Sequence, residues 1–266
     1  MGAAIRSELA KLTSTRLWWV LALVMVAYLA FIGAVMAFSL TFAAGDATAG
    51  VPPVEGVEAA TTVYGLVNAI GYAFPLLAGS LLVTAEFRHR TIAQTLLVEP
   101  RRTVVLLSKL AVSVPIGLVY GIAGTMGLVG AAAPILAWQG DGAYLGSGDV
   151  WQVILLSVVA TVLWTVIGAA FGAVLTQQVA AIVVILVFTQ FVEPVARVAL
   201  AAIDGLGTVA MFLPGAAADG LIGASFFGQM GDADLLPRWA AALVMLAYAA
   251  GFAVVARLTT LRRDLG

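Results

Sequence analysis

Six long apolar segments, separated by polar or glycine-rich stretches, dominate the pattern of this chain. A helix that crosses the hydrocarbon core of a bilayer needs about 20 mainly apolar residues. In lipid, each such segment must satisfy its own backbone hydrogen bonds, which favours helices. The pattern therefore predicts an all-α membrane protein with a single transmembrane domain over 1–266. The six predicted spans are 17–40, 62–85, 104–133, 151–175, 179–202 and 238–259.

Composition separates this prediction from a buried helical bundle in a large soluble protein. The chain is 62% hydrophobic and 10% charged, whereas soluble domains carry about 25% charged residues. Two lysines beside eleven arginines, with much alanine and valine, are typical of a GC-rich bacterial genome. We therefore expect a multi-pass protein of the bacterial cytoplasmic membrane.

The distribution of charge predicts an orientation. Eleven of the 13 basic residues lie before span one, between spans two and three, or after span six. Because cytoplasmic loops are enriched in Lys and Arg, both termini and the 86–109 loop are predicted to be cytoplasmic. The acidic residues assigned to the opposite face are Asp46, Glu55, Glu58, Asp141, Asp149, Asp204, Asp219, Asp232 and Asp234.

Two shorter segments have weaker apolar patterns. In 1–16, Ile5, Leu9 and Leu12 share one helical face, which predicts an amphipathic N-terminal helix in the inner interface. A basic cytoplasmic stub is the alternative. In 203–237, two short apolar pieces at 209–213 and 221–227 are interrupted by Gly and Pro, which predicts two small helices in an outer re-entrant segment.

Several kinds of chemistry are excluded by what the chain lacks. It has no cysteine, and His89 is its single histidine, so cysteine metal sites and an HExxH site cannot form. Neither Lys11 nor Lys109 follows a glycine, so the chain has no P-loop lysine. These absences argue against an enzyme and against a metal or nucleotide cofactor bound by this chain.

Polar residues inside the predicted spans are candidates for function. Glu193 and Arg197 lie four residues apart on span five, on either side of Pro194, and are predicted to form an intramembrane ion pair on a kinked helix. Such a pair is either functional or structural. A second set is predicted to line a substrate path or to make interhelical hydrogen bonds: Tyr64, Asn68 and Tyr72 on span two, and Thr189, Gln190 and Phe191 on span five.

Glycines recur along span three at 117, 121, 124, 127 and 130. Small residues at helical spacing let transmembrane helices approach closely. We therefore expect tight packing of span three.

The 86–102 segment has helix-forming content up to Glu99, and Pro100 ends it. Its apolar residues do not form one clean face, which favours a segment held by protein from several sides. The residues assigned to this segment are Glu86, Arg88, His89, Arg90, Thr91, Leu96, Leu97, Glu99, Pro100, Arg101 and Arg102.

This segment resembles the permease subunit of bacterial ABC-2 type transporters. Those permeases carry an acid, a basic residue, a Thr, two apolar residues, a Pro, one or two Arg and then a Lys opening span three. The residues that match in order are Glu86, Arg88, Thr91, Leu96, Leu97, Pro100, Arg101, Arg102 and Lys109. The stretches 5–9 and 11–16 are similar to actinobacterial members, whereas His89 and Arg90 replace a small residue common in the family.

The resemblance implies an ABC-2 type fold and an ATP-driven exporter of an amphiphile such as a drug, lipid or peptide. ATP and Mg would be bound by a separate ATP-binding subunit, present in two copies, with 86–102 docked in its cleft as a coupling helix. A second permease chain would complete the substrate path between spans two and five. No nucleic-acid partner is expected. Two rivals remain, an ion- or proton-coupled carrier that uses Glu193 and a non-transport scaffold or sensor.

Overall fold

A computed structural model of the chain describes residues 2, 6–8, 10–11, 15–43, 56–139, 142–203, 206–226 and 234–260. The described residues form helices and turns without a strand. Six helical segments are long and apolar enough to cross a membrane, which confirms the predicted all-α fold with six spans and marks a multi-pass membrane protein.

The helices follow the predicted spans closely. Span one is α1 (Leu17–Ala43), span three is α5 (Arg102–Gln139), span four is α6 (Gly148–Val174) and span six is α11 (Arg238–Leu258). Span two consists of α2 (Gly56–Ala69) and α3 (Ala73–Arg88). Span five consists of α7 (Gln178–Val187), a π-helical turn (Phe188–Val192) and α8 (Glu193–Ala201). The short helices are α4 (Ile92–Val98), α9 (Gly207–Ala210) and α10 (Pro214–Ile222).

Spans two, three and four form the interior of the bundle. Within their most apolar windows, 72%, 56% and 61% of the residues are buried, against 22% in each of spans one, five and six. Helix α6 lies at the centre, in contact with α3, α5 and α11. The outer spans expose large apolar side chains such as Phe31 and Val195. This apolar outer surface suits lipid or another membrane chain as its surroundings.

Glycines set the close approach of α5 to its neighbours, as predicted. A Cβ added at Gly117 would lie 2.6 Å from the Cα of Val162, and one added at Gly121 would lie 3.0 Å from the Cα of Val158. Gly130 differs, because a Cβ there would meet no atom within 4 Å. The prediction of tight packing is confirmed for Gly117 and Gly121 but not for Gly130.

Span two is broken, although the sequence predicted one helix over 62–85. Residues 70–72 form a turn between α2 and α3, and the Phe74 amide donates to the Gly71 carbonyl at 3.1 Å. Glycine weakens a helix by about 1 kcal/mol relative to alanine. The break brings Tyr72 to the junction, from which its side chain reaches span five.

Span five has an irregular turn immediately before Pro194. The Glu193 amide donates to the Phe188 carbonyl, five residues back, and so forms a π-helical turn. Proline has no N–H to continue the usual ladder. This π-helical turn, Phe188–Val192, lies next to Glu193 and Pro194, and the kink expected at Pro194 stays a prediction.

The second small helix lies earlier than predicted. The sequence pattern assigned it to 221–227 and treated Pro214 as a helix breaker, which was wrong. Pro214 begins α10, and Gly223, with φ of 74°, ends it. Proline is tolerated in the first turn of a helix, and a left-handed glycine commonly ends one. Residues 227–233 lie outside the described part of the chain.

The N-terminal segment is described only in part. Residues 6–8 and 10–11 are helical. Ile5, Leu9 and Leu12, which define the predicted apolar face, lie outside the described residues. The same holds for 44–55 and for Arg262 and Arg263 in the tail.

Candidate functional site

Helix α4 and the turns on either side of it form an exposed hairpin between spans two and three. It lies at the end of the bundle that carries Arg88, Arg90 and Arg101, which we call the basic end. Arg90, with φ of 56°, lies in the turn that separates α3 from α4. Ile92 is buried, whereas Leu97 and Val98 are 84% and 88% exposed. The predicted single helix up to Glu99 is thus a helix, a turn and a second short helix.

Four charged side chains behind α4 form an alternating network, which we call the basal ion network: Glu8, Lys11, Glu86 and Lys109. The Lys109 ammonium lies 2.9 Å from Glu8 and 3.1 Å from Glu86. The Lys11 ammonium contacts Glu8 at 2.8 Å and also pairs with Glu86. The Thr95 hydroxyl lies 3.1 Å from Lys11. The network joins the N-terminal segment, the end of span two, α4 and the start of span three.

Electrostatics within the basal ion network favour the charged forms. Burial would raise the pKa of the Glu8 carboxyl, but Lys109 and Lys11 together hold that pKa below its ordinary value. Burial would lower the pKa of Lys11, but hydrogen bonds to Glu8 and Glu86 raise it above its ordinary value. Glu8 was not singled out by the sequence, because its partner Lys109 lies 101 residues away.

The other residues of the predicted coupling segment lie at the surface around α4. Arg88, His89, Arg90, Pro100 and Arg101 are exposed, and Thr91, Leu96, Glu99 and Arg102 are partly exposed. Glu99 and Arg101 form an ion pair at 3.0 Å, in which each partner favours the charged form of the other: the hydrogen bond lowers the pKa of Glu99 and raises that of Arg101.

A second group of polar residues, which we call the buried cluster, lies between the break in span two, span five and α10. Asp219 on α10 accepts three hydrogen bonds: from Arg197 at 2.8 Å, from Asn68 at 3.0 Å and from Ser225 at 2.7 Å. Asn68 in turn accepts a bond of 3.0 Å from the Trp164 indole. Asp219 is 1% exposed, so its charge is met by protein groups.

Glu193 belongs to the same cluster and is also 1% exposed. Its Oε2 lies 3.0 Å from the Tyr72 hydroxyl, and its Oε1 accepts a hydrogen bond from the Gly215 amide in the first turn of α10. A Cβ at residue 215 would lie 2.9 Å from the Glu193 Cδ, so a larger residue there would displace the end of the Glu193 side chain. The cluster encloses a cavity with a free volume of about one water molecule.

The predicted partnership of Glu193 and Arg197 needs a correction. The structure brings the two residues into one cluster, but the carboxylate that Arg197 contacts at 2.8 Å is that of Asp219. The sequence pattern had placed Asp219 with the acidic residues of the membrane face opposite the basic residues. The sequence signal that was missed is the run of small apolar residues that follows Pro214 and contains Asp219.

The six residues assigned to a substrate path are divided between two environments. Tyr64, Asn68, Tyr72 and Thr189 are buried. Gln190 and Phe191 lie on the exposed surface of span five. Two buried members make the alternative contacts that the sequence also allowed, hydrogen bonds between helical segments: Tyr72 donates to the Thr189 carbonyl at 2.9 Å, and Asn68 donates to Asp219 at 3.0 Å. Tyr64 instead donates to the Ala143 carbonyl, in the loop between α5 and α6, at 2.9 Å.

Comparisons with known proteins and the chemistry of the side chains bear on the class to which this protein belongs. No family model and no curated protein sequence matches the chain. Within the described residues, no group of three or more His, Cys, Asp or Glu side chains is placed to hold a metal ion. The class that the helices define is a multi-pass membrane protein with an exposed hairpin at one end and a buried polar cluster.

Proposed function

We propose that the chain is the permease subunit of an ATP-driven ABC-2 type exporter in the bacterial cytoplasmic membrane. Both termini and the 86–109 segment would face the cytoplasm, as the charge distribution indicates. The observation that carries the proposal is the exposure of Leu97 and Val98 on a short helix that joins two spans. The resemblance of 86–109 to ABC-2 permeases supports the same assignment.

The exposed apolar residues of this hairpin, at the basic end of the bundle, favour a protein partner that would cover them. Burying a Leu or Val side chain contributes about 1.5–3 kcal/mol. A cleft in an ATP-binding subunit would cover Leu97 and Val98, with Arg88, Arg90 and Arg101 around them. ATP and Mg would be bound by that subunit, in two copies.

The short connections of the hairpin would transmit its motion to spans two and three. Only residues 89–91 separate α3 from α4, and only 99–101 separate α4 from α5. The basal ion network holds Glu86 of α3 against Lys109 of α5. A displacement of α4 would therefore move spans two and three together, and both pack on α6.

Span five offers a surface for a second permease chain. Gln190 and Phe191 are exposed there, beside Val187. An amide that faces lipid is costly, whereas one that faces a polar path or another chain is not. We propose that an amphiphilic substrate moves along the path between two such chains.

Site-directed cross-linking tests the docking surface, because the chain has no cysteine of its own. A cross-linker on Leu97→Cys should capture an ATP-binding protein in native membranes, and the purified complex should hydrolyse ATP. Trp138→Cys is the matched control, since Trp138 is 82% exposed at the other end of α5. Equal capture from both positions, or a captured protein without ATPase activity, would contradict the proposal.

A carrier driven by an ion or proton gradient is the second candidate, favoured by the buried Glu193 beside a small cavity. The two candidates differ in energy source. Transport into inverted vesicles should require ATP and survive an ionophore if the chain is an ABC permease. Transport that needs only a gradient would favour the carrier.

A further inference from the structure

The Tyr72 hydroxyl lies within hydrogen-bond distance of two oxygen atoms. It is 2.9 Å from the Thr189 carbonyl oxygen and 3.0 Å from Oε2 of Glu193. A phenol has one hydrogen to donate, although its oxygen can also accept. Tyr72 can therefore donate to only one of these two neighbours.

The Thr189 carbonyl lacks the backbone amide that would ordinarily donate to it. In the π-helical turn the Glu193 amide donates to the Phe188 carbonyl, so the next amide in that register, at residue 194, would serve Thr189. Residue 194 is a proline and has no N–H. A carbonyl can only accept, and a buried one without a donor is costly. The Tyr72 hydroxyl supplies the hydrogen that this carbonyl lacks.

The short distance from Tyr72 to Glu193 then requires a hydrogen from Glu193 itself. We propose that Glu193 binds a proton in this structure and, as a neutral carboxylic acid, donates it from Oε2 to the Tyr72 oxygen. Oε1 would be the carbonyl oxygen of the acid and accept from the Gly215 amide. This inference is independent of whether an ATPase drives the protein.

The charges around Glu193 agree with a neutral acid. The neighbouring titratable groups are Arg197 on α8, Asp219 on α10, Tyr72 at the break in span two and Tyr248 on α11. Arg197 and Asp219 neutralise each other at 2.8 Å. A proton on Glu193 leaves the buried cluster without net charge, whereas a second carboxylate would add an uncompensated buried charge.

Loss of the proton would set Glu193 and Thr189 in competition for the single Tyr72 hydrogen. Whichever oxygen loses it would be left without that donor, so the contact between the break in span two and the π-helical turn would weaken. The Gly215 amide ties the same carboxyl to α10. The buried cluster is therefore a proton-dependent set of hydrogen bonds that connects span two, span five and α10.

Infrared spectroscopy of the full chain in lipid nanodiscs at neutral pH tests the proton directly. The carbonyl stretch of a protonated carboxylic acid lies above the amide I band and shifts in D2O. We expect such a band in the wild type, moved by labelling with [δ-13C]glutamate. It should be lost in Glu193→Gln and retained in the control Glu99→Gln, which changes a carboxyl at the surface.

A second variant keeps the test decisive even if Glu193→Gln fails to fold. Tyr72→Phe removes the acceptor of the acid's hydrogen bond, so the glutamic acid band should move to higher frequency. Absence of a glutamic acid band from the wild type would overturn the proposal. So would a band that survives Glu193→Gln or keeps its frequency in Tyr72→Phe.

Discussion

Replacing single residues of the buried cluster should change the free energy of unfolding by very different amounts. Arg197→Met would leave Asp219 as a buried carboxylate without its cation, and breaking a buried pair in this way costs about 3–5 kcal/mol. Arg197→Met combined with Asp219→Asn should cost less than the sum of the two single changes. Denaturant unfolding of the four proteins in detergent measures this coupling.

An exposed pair provides the control for that measurement. Glu99 and Arg101 also lie 3.0 Å apart, but at the surface, where water and salt screen the pair. Arg101→Met should leave the unfolding transition almost unchanged. Additive effects of the Arg197 and Asp219 changes would show that their contact does not stabilise the fold.

The basal ion network should respond to pH at both extremes. The lowered pKa of Glu8 means that its contribution to stability is present above its ordinary pKa and lost as pH falls through the lowered value. The raised pKa of Lys11 means that its contribution is present below its ordinary pKa and lost as pH rises through the raised value. The N-terminal segment should therefore stay attached across the neutral range and detach outside it.

A fluorophore on Ser7→Cys, next to Glu8, would report this detachment. Adding Glu8→Gln should reduce the acid transition, because the group that titrates is gone. An acid transition of the same size and midpoint in the double variant would exclude Glu8 as its source.

At the scale of helices, two glycines on α5 distinguish a glycine that close packing requires from one that it does not. Gly117→Ala would place a Cβ 2.6 Å from the Cα of Val162, so α5 and α6 would have to move apart. Overpacking of this kind costs about 1–3 kcal/mol. Gly130→Ala meets open space and should be neutral, or stabilising by up to about 1 kcal/mol. Thermal unfolding of both variants gives the comparison, and equal effects would contradict it.

Helix length and helix irregularity were predictable to different degrees. Apolar length predicted all six spans, because lipid allows few alternatives to a helix. The missing N–H of Pro194 predicted a kink, but not the π-helical turn at Phe188–Val192 that precedes it. The turn at 70–72 was not predicted either, because Gly71 is one of many glycines in these spans and the contact of Tyr72 with Thr189 is made across 117 residues. Pro214 was misread, since a proline can begin a helix as well as end one.

The buried cluster was predictable only where its members share a helix. Glu193 and Arg197 lie on one face by their spacing of four. Asp219 comes from α10, and its local signal, a run of small apolar residues after Pro214, does not indicate that it meets Arg197 on another helix. Glycine at 215 leaves room for the close approach, yet its role becomes visible only in contact with Glu193.

For the whole molecule, the main prediction is its orientation. Leu97 and Leu145 are exposed and lie beyond opposite ends of α5. In intact cells, a membrane-impermeant maleimide should label Leu145→Cys and spare Leu97→Cys, with both labelled after permeabilisation. Labelling of Leu97→Cys from outside intact cells would reverse the proposed topology.

The basal ion network also has a consequence for how the chain is made. Lys11 is synthesised 75 residues before Glu86, and Glu8 is synthesised 101 residues before Lys109. At about 5–20 residues per second, their partners leave the ribosome roughly 4–20 seconds later. During this interval the first span is already available for insertion while the segment before it lacks two of its charged partners. Closure of the network can therefore occur only once Lys109, near the start of the third span, has been made, which is long after Glu8 and Lys11.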